Sequence, residues 1–195
     1  MELIGHRGPL NAVAIAPDGT WLATSGSDQI VRIWDAATGQ QSMELIGHRR
    51  SVQRAPFGNR GPVRAVAIAS DGTWLATGGG DRVVRVWDAA TGQQRLKLTG
   101  HSGSVDALAI ALDNTWIATG SGDSTVRIWE ASTGQQRLKL TGHTEGVASV
   151  SIAQRSADSV RPSRGLNAPG EGTFADLAEG SLRVRVLSDV GRSTR

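Results

Sequence analysis

The chain has 195 residues, enough for one domain. It has no Cys, which excludes a disulfide framework and thiolate metal sites. The formal charge is only +3, so the pI near 10.5 reflects Arg usage (Arg keeps its charge to very high pH) rather than a strong positive field. No stretch approaches the roughly 20 apolar residues that span a bilayer. Met1 to His6 lacks the basic start and apolar run of a signal peptide, so a soluble, cytoplasmic chain is expected.

In chain order, Met1 to Arg7 is identical to Met43 to Arg49, so the sequence opens on what reads as the last strand of a unit. The next strand alternates Val13 and Ile15 with Ala12, Ala14 and Ala16, apolar on both faces. Asp18 to Thr24 follows, and recurs unchanged at Asp71 to Thr77 and altered at Asp113 to Thr119. Val31 to Gln41 recurs with small changes from Val84 and from Val126. In the third unit the strands are expected at Val105–Ala111, Trp116–Gly120, Thr125–Glu130 and Gln136–Leu140, with Asp113-Asn114 and Gly122-Asp123-Ser124 as turns.

Gly-His pairs at His6, His48, His101 and His143 are spaced by 42, 53 and 42 residues. The long interval is 11 residues in excess, and Gly58-Asn59-Arg60-Gly61-Pro62 reads like Gly5-His6-Arg7-Gly8-Pro9. The second unit is therefore counted from Gly58, with Asn59 where His is expected and 47–57 as an inserted loop. His48 could fill that place only if the extra segment bulges after it. The repeats are then 5–46, 58–99, 100–141 and a partial 142–153. After Gln154 the pattern vanishes and no Trp follows Trp129, so 154–195 is expected to be a non-repeat, disordered tail, with Ser181–Leu187 as a candidate strand.

A period near 42 with Gly-His and Trp-Asp marks is the signature of four-stranded propeller blades. The units resemble WD (WD40) repeats over about Met1 to Ala153, and Ala-Thr-Gly-Gln-Gln-Arg-Leu-Lys-Leu-Thr-Gly-His is similar to long bacterial arrays of that family. The resemblance implies an all-β fold: three complete four-stranded blades with partial blades at both ends, an incomplete propeller. A closed four-bladed ring would need Glu2–Ile4 to pair with a fourth blade built partly from the tail, whose strand patterning is poor.

Each unit carries an imidazole, a hydroxyl, a carboxylate and an indole: His6, Thr24, Asp28, Trp34; Asn59, Thr77, Asp81, Trp87; and His101, Thr119, Asp123, Trp129. The first three groups invite a catalytic-triad reading. The resemblance implies instead a buried hydrogen-bond chain, and a triad would not recur in every blade. Because Asn59 lacks two separated ring nitrogens, blade two is expected to be the least well locked. Gly78-Gly79-Gly80 lacks the Gly-Lys-Ser/Thr of a phosphate loop, and the His spacing argues against a metal cluster. Arg32, Arg85 and Arg127 are expected to be solvated or groove-lining. No catalytic, cofactor or metal site is expected.

The units differ just after the Gly-His position. Pro9, Pro62, Ser104 and Gly146 are equivalent places, as are Asn11, Arg64, Asp106 and Ala148. In the family these positions open onto the top face, so they are the candidate partner-binding residues. The expected function is a non-catalytic protein-interaction scaffold with protein partners, no small-molecule substrate and no membrane, and self-association through open blade edges. Two alternatives stand beside it. One is a truncated remnant without independent function. The other is weak nucleic-acid binding by Arg49, Arg50, Arg54, Arg60 and Arg64, a cluster without interleaved aromatics.

Overall fold

A computed structural model describes residues 2–48, 61–154, 174–176 and 182–188. Among them all regular structure is β, and no helix is long and apolar enough to cross a membrane. The first blade holds β1 (Leu10–Ile15), β2 (Trp21–Gly26), β3 (Val31–Asp35) and β4 (Gln41–Leu45). The second holds β5 (Val63–Ile68), β6 (Trp74–Gly79), β7 (Val84–Asp88) and β8 (Gln94–Leu98). The third holds β9 (Val105–Ile110), β10 (Trp116–Ser121), β11 (Val126–Glu130) and β12 (Gln136–Leu140). Each is an antiparallel meander with neighbours in chain order.

The turns follow from their side chains. Asp18 accepts hydrogen bonds from the backbone N–H and hydroxyl of Thr20 at 3.0 and 2.8 Å, closing an Asx turn between β1 and β2. Asp71 with Thr73 and Asp113 with Thr115 repeat it. The central residue is left-handed, with φ of 71° at Gly19 and 60° at Asn114, and Asn is the side chain that best tolerates that region. Asp35 caps the β3–β4 turn by accepting from Thr38 N and Oγ1 at 2.7 and 2.8 Å. The Trp-Asp phrase thus buries its indole and turns the chain with its carboxylate.

Packing runs between blades. The side of blade one formed by Ala23, Val31, Ile33 and Leu45 meets Val63, Leu75 and Trp87 of blade two. The next seam sets Ala76, Val84 and Val86 against Val105, Ile117 and Trp129. The inner strands β1, β5 and β9 lie side by side, followed by β13 (Val147–Gln154). Burying these branched and aromatic side chains supplies the main driving force, roughly 25 cal/mol per Å² of apolar surface.

The fourth sheet departs from the expected disordered tail. Its order is β13-β15-β14, with β14 at Phe174–Asp176 and β15 at Leu182–Ser188. The tail strand candidate is thus present one residue later than expected, and pairs Val150 with Val186 and Ile152 with Val184. The other calls on the tail lie outside the described residues, as does most of the expected inserted loop. Glu2–Ile4 forms no strand, and Val13 and Ile15 stay exposed, so among the described residues the four sheets form an open arc.

Candidate binding rim and the polar sets beneath it

In blade one the indole N–H of Trp34 donates to Thr24 Oγ1 at 2.7 Å. Trp has only a donor, so the Thr hydroxyl is left to donate to His6 Nε2, 2.8 Å away. With Nε2 accepting from the hydroxyl, the ring proton sits on Nδ1 and donates to the Asp28 carboxylate at 3.0 Å. In blade three the same chain runs Trp129 to Thr119 at 2.9 Å, Thr119 to His101 at 2.8 Å and His101 to Asp123 at 2.9 Å. Each set pins the loop before an inner strand to the middle of its own sheet.

Blade two corrects the sequence reading. His48, not Asn59, bridges Thr77 and Asp81, at 2.8 and 2.9 Å, with Trp87 donating to Thr77 at 2.8 Å. His48 is 0% exposed and Asp81 is 9% exposed, so this set is the most deeply buried of the three rather than the weakest. Only a ring with two separated nitrogens can span hydroxyl and carboxylate. The chain therefore keeps His48 in the blade, and the extra segment begins after it rather than at Gly47. Asn59 and the Arg cluster from Arg49 to Arg60 lie outside the described residues. The segment re-enters at Gly61, where a Cβ would collide with the backbone of Gly80.

The third-strand Arg residues also differ from expectation. Arg32 and Arg85 are buried, and their Nη1 atoms donate to Asp28 and Asp81 at 2.7 and 2.6 Å. In blade three Thr125 takes the carboxylate instead, donating its hydroxyl to Asp123 at 2.6 Å. Arg127 then turns to Gln136 Oε1, also at 2.6 Å. The equivalent residues Ile30 and Val83 have no hydroxyl to compete. The recurring Asp-to-Arg spacing of four residues was the available sequence signal.

Burial pushes the Asp28 carboxyl up, but hydrogen bonds from Arg32, His6 and the Arg7 and Ile30 amides outweigh it and hold the group at about 2. Asp81 and Asp123 are likewise held low against the opposing effect of burial, by His48 and Arg85 in one case and by Thr125 and His101 in the other. Burial lowers His48 and His101, partly offset by their carboxylates. The Thr hydroxyls are buried and already engaged by an indole, so the arrangement locks strands and offers no nucleophile to a substrate.

Asn11, Arg64, Asp106 and Ala148 are each the second residue of an inner strand, and each is skipped in the pairing with its neighbour. Leu10 pairs with Gly26 and Ala12 with Ser25, leaving Asn11 opposite nothing; the other three blades repeat this. The four variable positions are therefore β-bulges, which re-aim a side chain away from the sheet face. Asn11 reaches the next blade and donates to Val63 O at 3.0 Å. Arg64 donates to Asp106 at 3.1 Å, and Ser104 holds the other Asp106 oxygen at 2.8 Å. Pro9 and Ala148 are exposed, whereas Pro62 and Gly146 are half-buried.

The sequence matches the WD domain, G-beta repeat family at residues 1–35, 39–88 and 92–130. It is 28% identical over 99 residues to the U3 small nucleolar RNA-interacting protein 2 of Mus musculus, covering 51% of this chain and 21% of that protein. It is 33% identical over 101 residues to the nuclear distribution protein PAC1 of Ajellomyces capsulatus, covering 51% and 20%. Transcriptional repressor rco-1 of Neurospora crassa is 36% identical over 84 residues, covering 43% and 13%. The chain thus spans about a fifth or less of the length of these relatives. Two solved structures, of U3-55K and of the RRP9 WD40 repeats, superpose with a TM-score of 0.68 at 26% identity. They cover 76% of this chain and 44% and 43% of theirs. The chain belongs to the WD40-repeat family of β-propeller proteins.

Proposed function

We propose that this chain is a non-catalytic scaffold that recognises a protein partner through its inner rim. The observation that carries the reading is the contrast between the uniform blade interior and the four bulge positions Asn11, Arg64, Asp106 and Ala148, which share one geometry and differ in chemistry. A row of re-aimed side chains over rigid sheets suits recognition of a specific surface. The burial and prior engagement of the three Thr hydroxyls support the absence of catalysis. A cytoplasmic location goes with the same reading.

Affinity capture with purified variants tests it. Pro9→Asp combined with Ala148→Arg alters the rim, whereas Lys97→Glu alters the outer strand β8. Capture of a discrete set of proteins by wild type and Lys97→Glu, lost in the rim variant at unchanged thermal unfolding, is the expected result. Equal capture by all three contradicts the reading. The name of the mouse relative includes an RNA interaction. That points to a second reading, but Arg64 is already committed to Asp106.

A further inference from the structure

The two seams that join blades one to three differ at the strand ends opposite the bulges. Between blades two and three, residues of β6, β7, β8 and of the β9–β10 and β11–β12 turns line a cavity of about 330 Å³. Trp74 and Val86 form its buried floor and Leu96 a wall, whereas Arg95 and Ser132 stand exposed at its mouth. In the seam between blades one and two Met43 stands where Leu96 does, and its longer side chain reaches Gly92. Arg95, Asn114 and Ser132 are matched there by Ser42, Gly72 and Ala90. Of these two seams, only the second has this polar mouth.

The groups left over around the cavity are donors. Among the described residues nothing accepts the indole N–H of Trp74, although the residue is only 6% exposed. The atom is not sealed from water, so it opens into the cavity that the ring lines. Arg95 gives Asp88 only Nη2, at 2.6 Å, and its side chain is about half exposed. Asn114 is already held by Ser70, whose backbone N–H donates to its Oδ1 at 2.9 Å, so it shapes the mouth.

The turn that carries Ser132 adds two more donors. In the other blades an Asp caps this turn: Asp35 accepts from the amides of Ala37 and Thr38, and Asp88 from those of Ala90 and Thr91. Blade three has Glu130 there, one methylene longer, and it pairs with Arg137 at 2.6 Å instead. Among the described residues the amides of Ser132 and Thr133 are thereby left without a carboxylate.

We propose that this cavity is a second docking site, for a segment of a partner protein that sets an apolar side chain on Trp74 and Leu96 and an acidic side chain at Arg95 and the β11–β12 turn. Its volume is at the low end of the roughly 300–1,000 Å³ of ligand pockets, so it suits a side chain or two and not a large cofactor. The unmet groups are N–H donors and a guanidinium, and their complement is a carboxylate. The apolar floor favours burial of the neighbouring side chain. The site lies at the other end of the strands from the rim and goes beyond the rim reading. Lys97 does not line it, so the two sites are tested independently.

Selection of a display library of random dodecapeptides on the full chain tests the site. Peptides that join an acidic residue to an apolar one are expected to be enriched. As synthetic peptides with blocked ends they are expected to shift the indole ¹H–¹⁵N signal of Trp74, identified by its loss in Trp74→Phe. The combined variant Arg95→Ser, Leu96→Met, Asn114→Gly and Ser132→Ala copies the seam between blades one and two, so it uses residues that the fold already accepts. It is expected to fold, by far-UV circular dichroism, and to bind these peptides at least about tenfold more weakly. Arg95→Ser alone, an exposed change, is expected to weaken the acidic peptides but not their Asn and Gln counterparts. Pro9→Asp with Ala148→Arg is expected to bind as wild type does. Absence of acidic–apolar peptides from the selection overturns the proposal. So does undiminished binding by Arg95→Ser or by the folded combined variant, and so does binding that is lost in the rim variant instead.

Discussion

His48 Nε2 lies 2.8 Å from Thr77 Oγ1 across 29 residues of chain, whereas His6 and His101 reach Thr24 and Thr119 across 18. The same contact is made with eleven more residues in between, so the geometry of the polar set does not depend on the length of chain that joins its members. Loop-closure entropy rises only slowly with length, which lets an insertion of this size sit between two fixed points.

Two substitutions separate His48 from Asn59. His48→Ala is expected to lower stability by about 2–4 kcal/mol, because it strands buried polar partners. Asn59→Ala is expected to change it by less than about 0.5 kcal/mol. Deleting residues 49–59 regenerates Gly-His-Arg-Gly-Pro, as at Gly5 to Pro9, and is expected to fold with stability within about 1 kcal/mol of wild type. Urea denaturation measures all three, and a larger loss for Asn59→Ala than for His48→Ala would reverse the assignment.

The Thr hydroxyl joins indole to imidazole, so its removal should cost more than its methyl. Thr77→Val keeps the shape but leaves the Trp87 N–H and His48 Nε2 unpaired, at an expected cost of about 2–3 kcal/mol. Thr77→Ser keeps both hydrogen bonds and is expected to cost under about 1.5 kcal/mol. Equal effects of the two in thermal and urea unfolding would show that packing, not the hydroxyl, matters.

Acid should weaken the fold in two stages. The folded-state values of His48 and His101 are depressed by burial below the ordinary 6.5, so between the two values the unfolded chain binds more protons. Their contribution is complete above pH 6.5 and is lost as pH falls through the depressed folded values. Asp28 follows: its contribution is complete above 3.8 and lost as pH falls through about 2. Unfolding free energy measured at about pH 7.5 and about pH 5.5 is expected to be lower at the acid value. Unchanged or higher stability at the acid value would contradict a buried neutral imidazole.

The Arg64–Asp106 pair bridges blades two and three at the rim, and Arg64 is half exposed. Solvent screening keeps such a pair near about 0–1 kcal/mol, so Arg64→Ala should be mild. Asp106→Arg should be worse, since it sets two cations together. The double exchange Arg64→Asp with Asp106→Arg should recover most of that loss at low salt. A double-mutant cycle gives the coupling, and additive losses would show that the pair has no energetic role.

Much of this fold was legible. The third unit's strands follow the apolar alternation and Asp-Gly or Asp-Asn turns to within a residue or two, because each unit repeats the same local constraints. The tail was legible only at the candidate strand Ser181–Leu187, since β15 gains its order from pairing with β13 and β14 from pairing with β15, and neither carries repeat marks. The choice between His48 and Asn59 was also beyond local pattern. Both phrases fit the repeat, and the decision rests on which side chain can span Thr77 and Asp81 in space. The buried Arg residues were misjudged because strand alternation with Val and Ile suggested a solvent face, whereas the carboxylate four residues earlier turns the guanidinium inward.

The central claim is that three imidazoles, His48 among them, are structural links inside the blades, held between a hydroxyl and a carboxylate. Long-range ¹H–¹⁵N NMR of the histidine side chains at neutral pH tests it most directly. The account predicts that His6, His48 and His101 carry the proton on Nδ1, with slowly exchanging ring N–H signals at His48 and His101. A His48 spectrum matching that of the urea-unfolded chain, with the proton on Nε2 and rapid exchange, would contradict it.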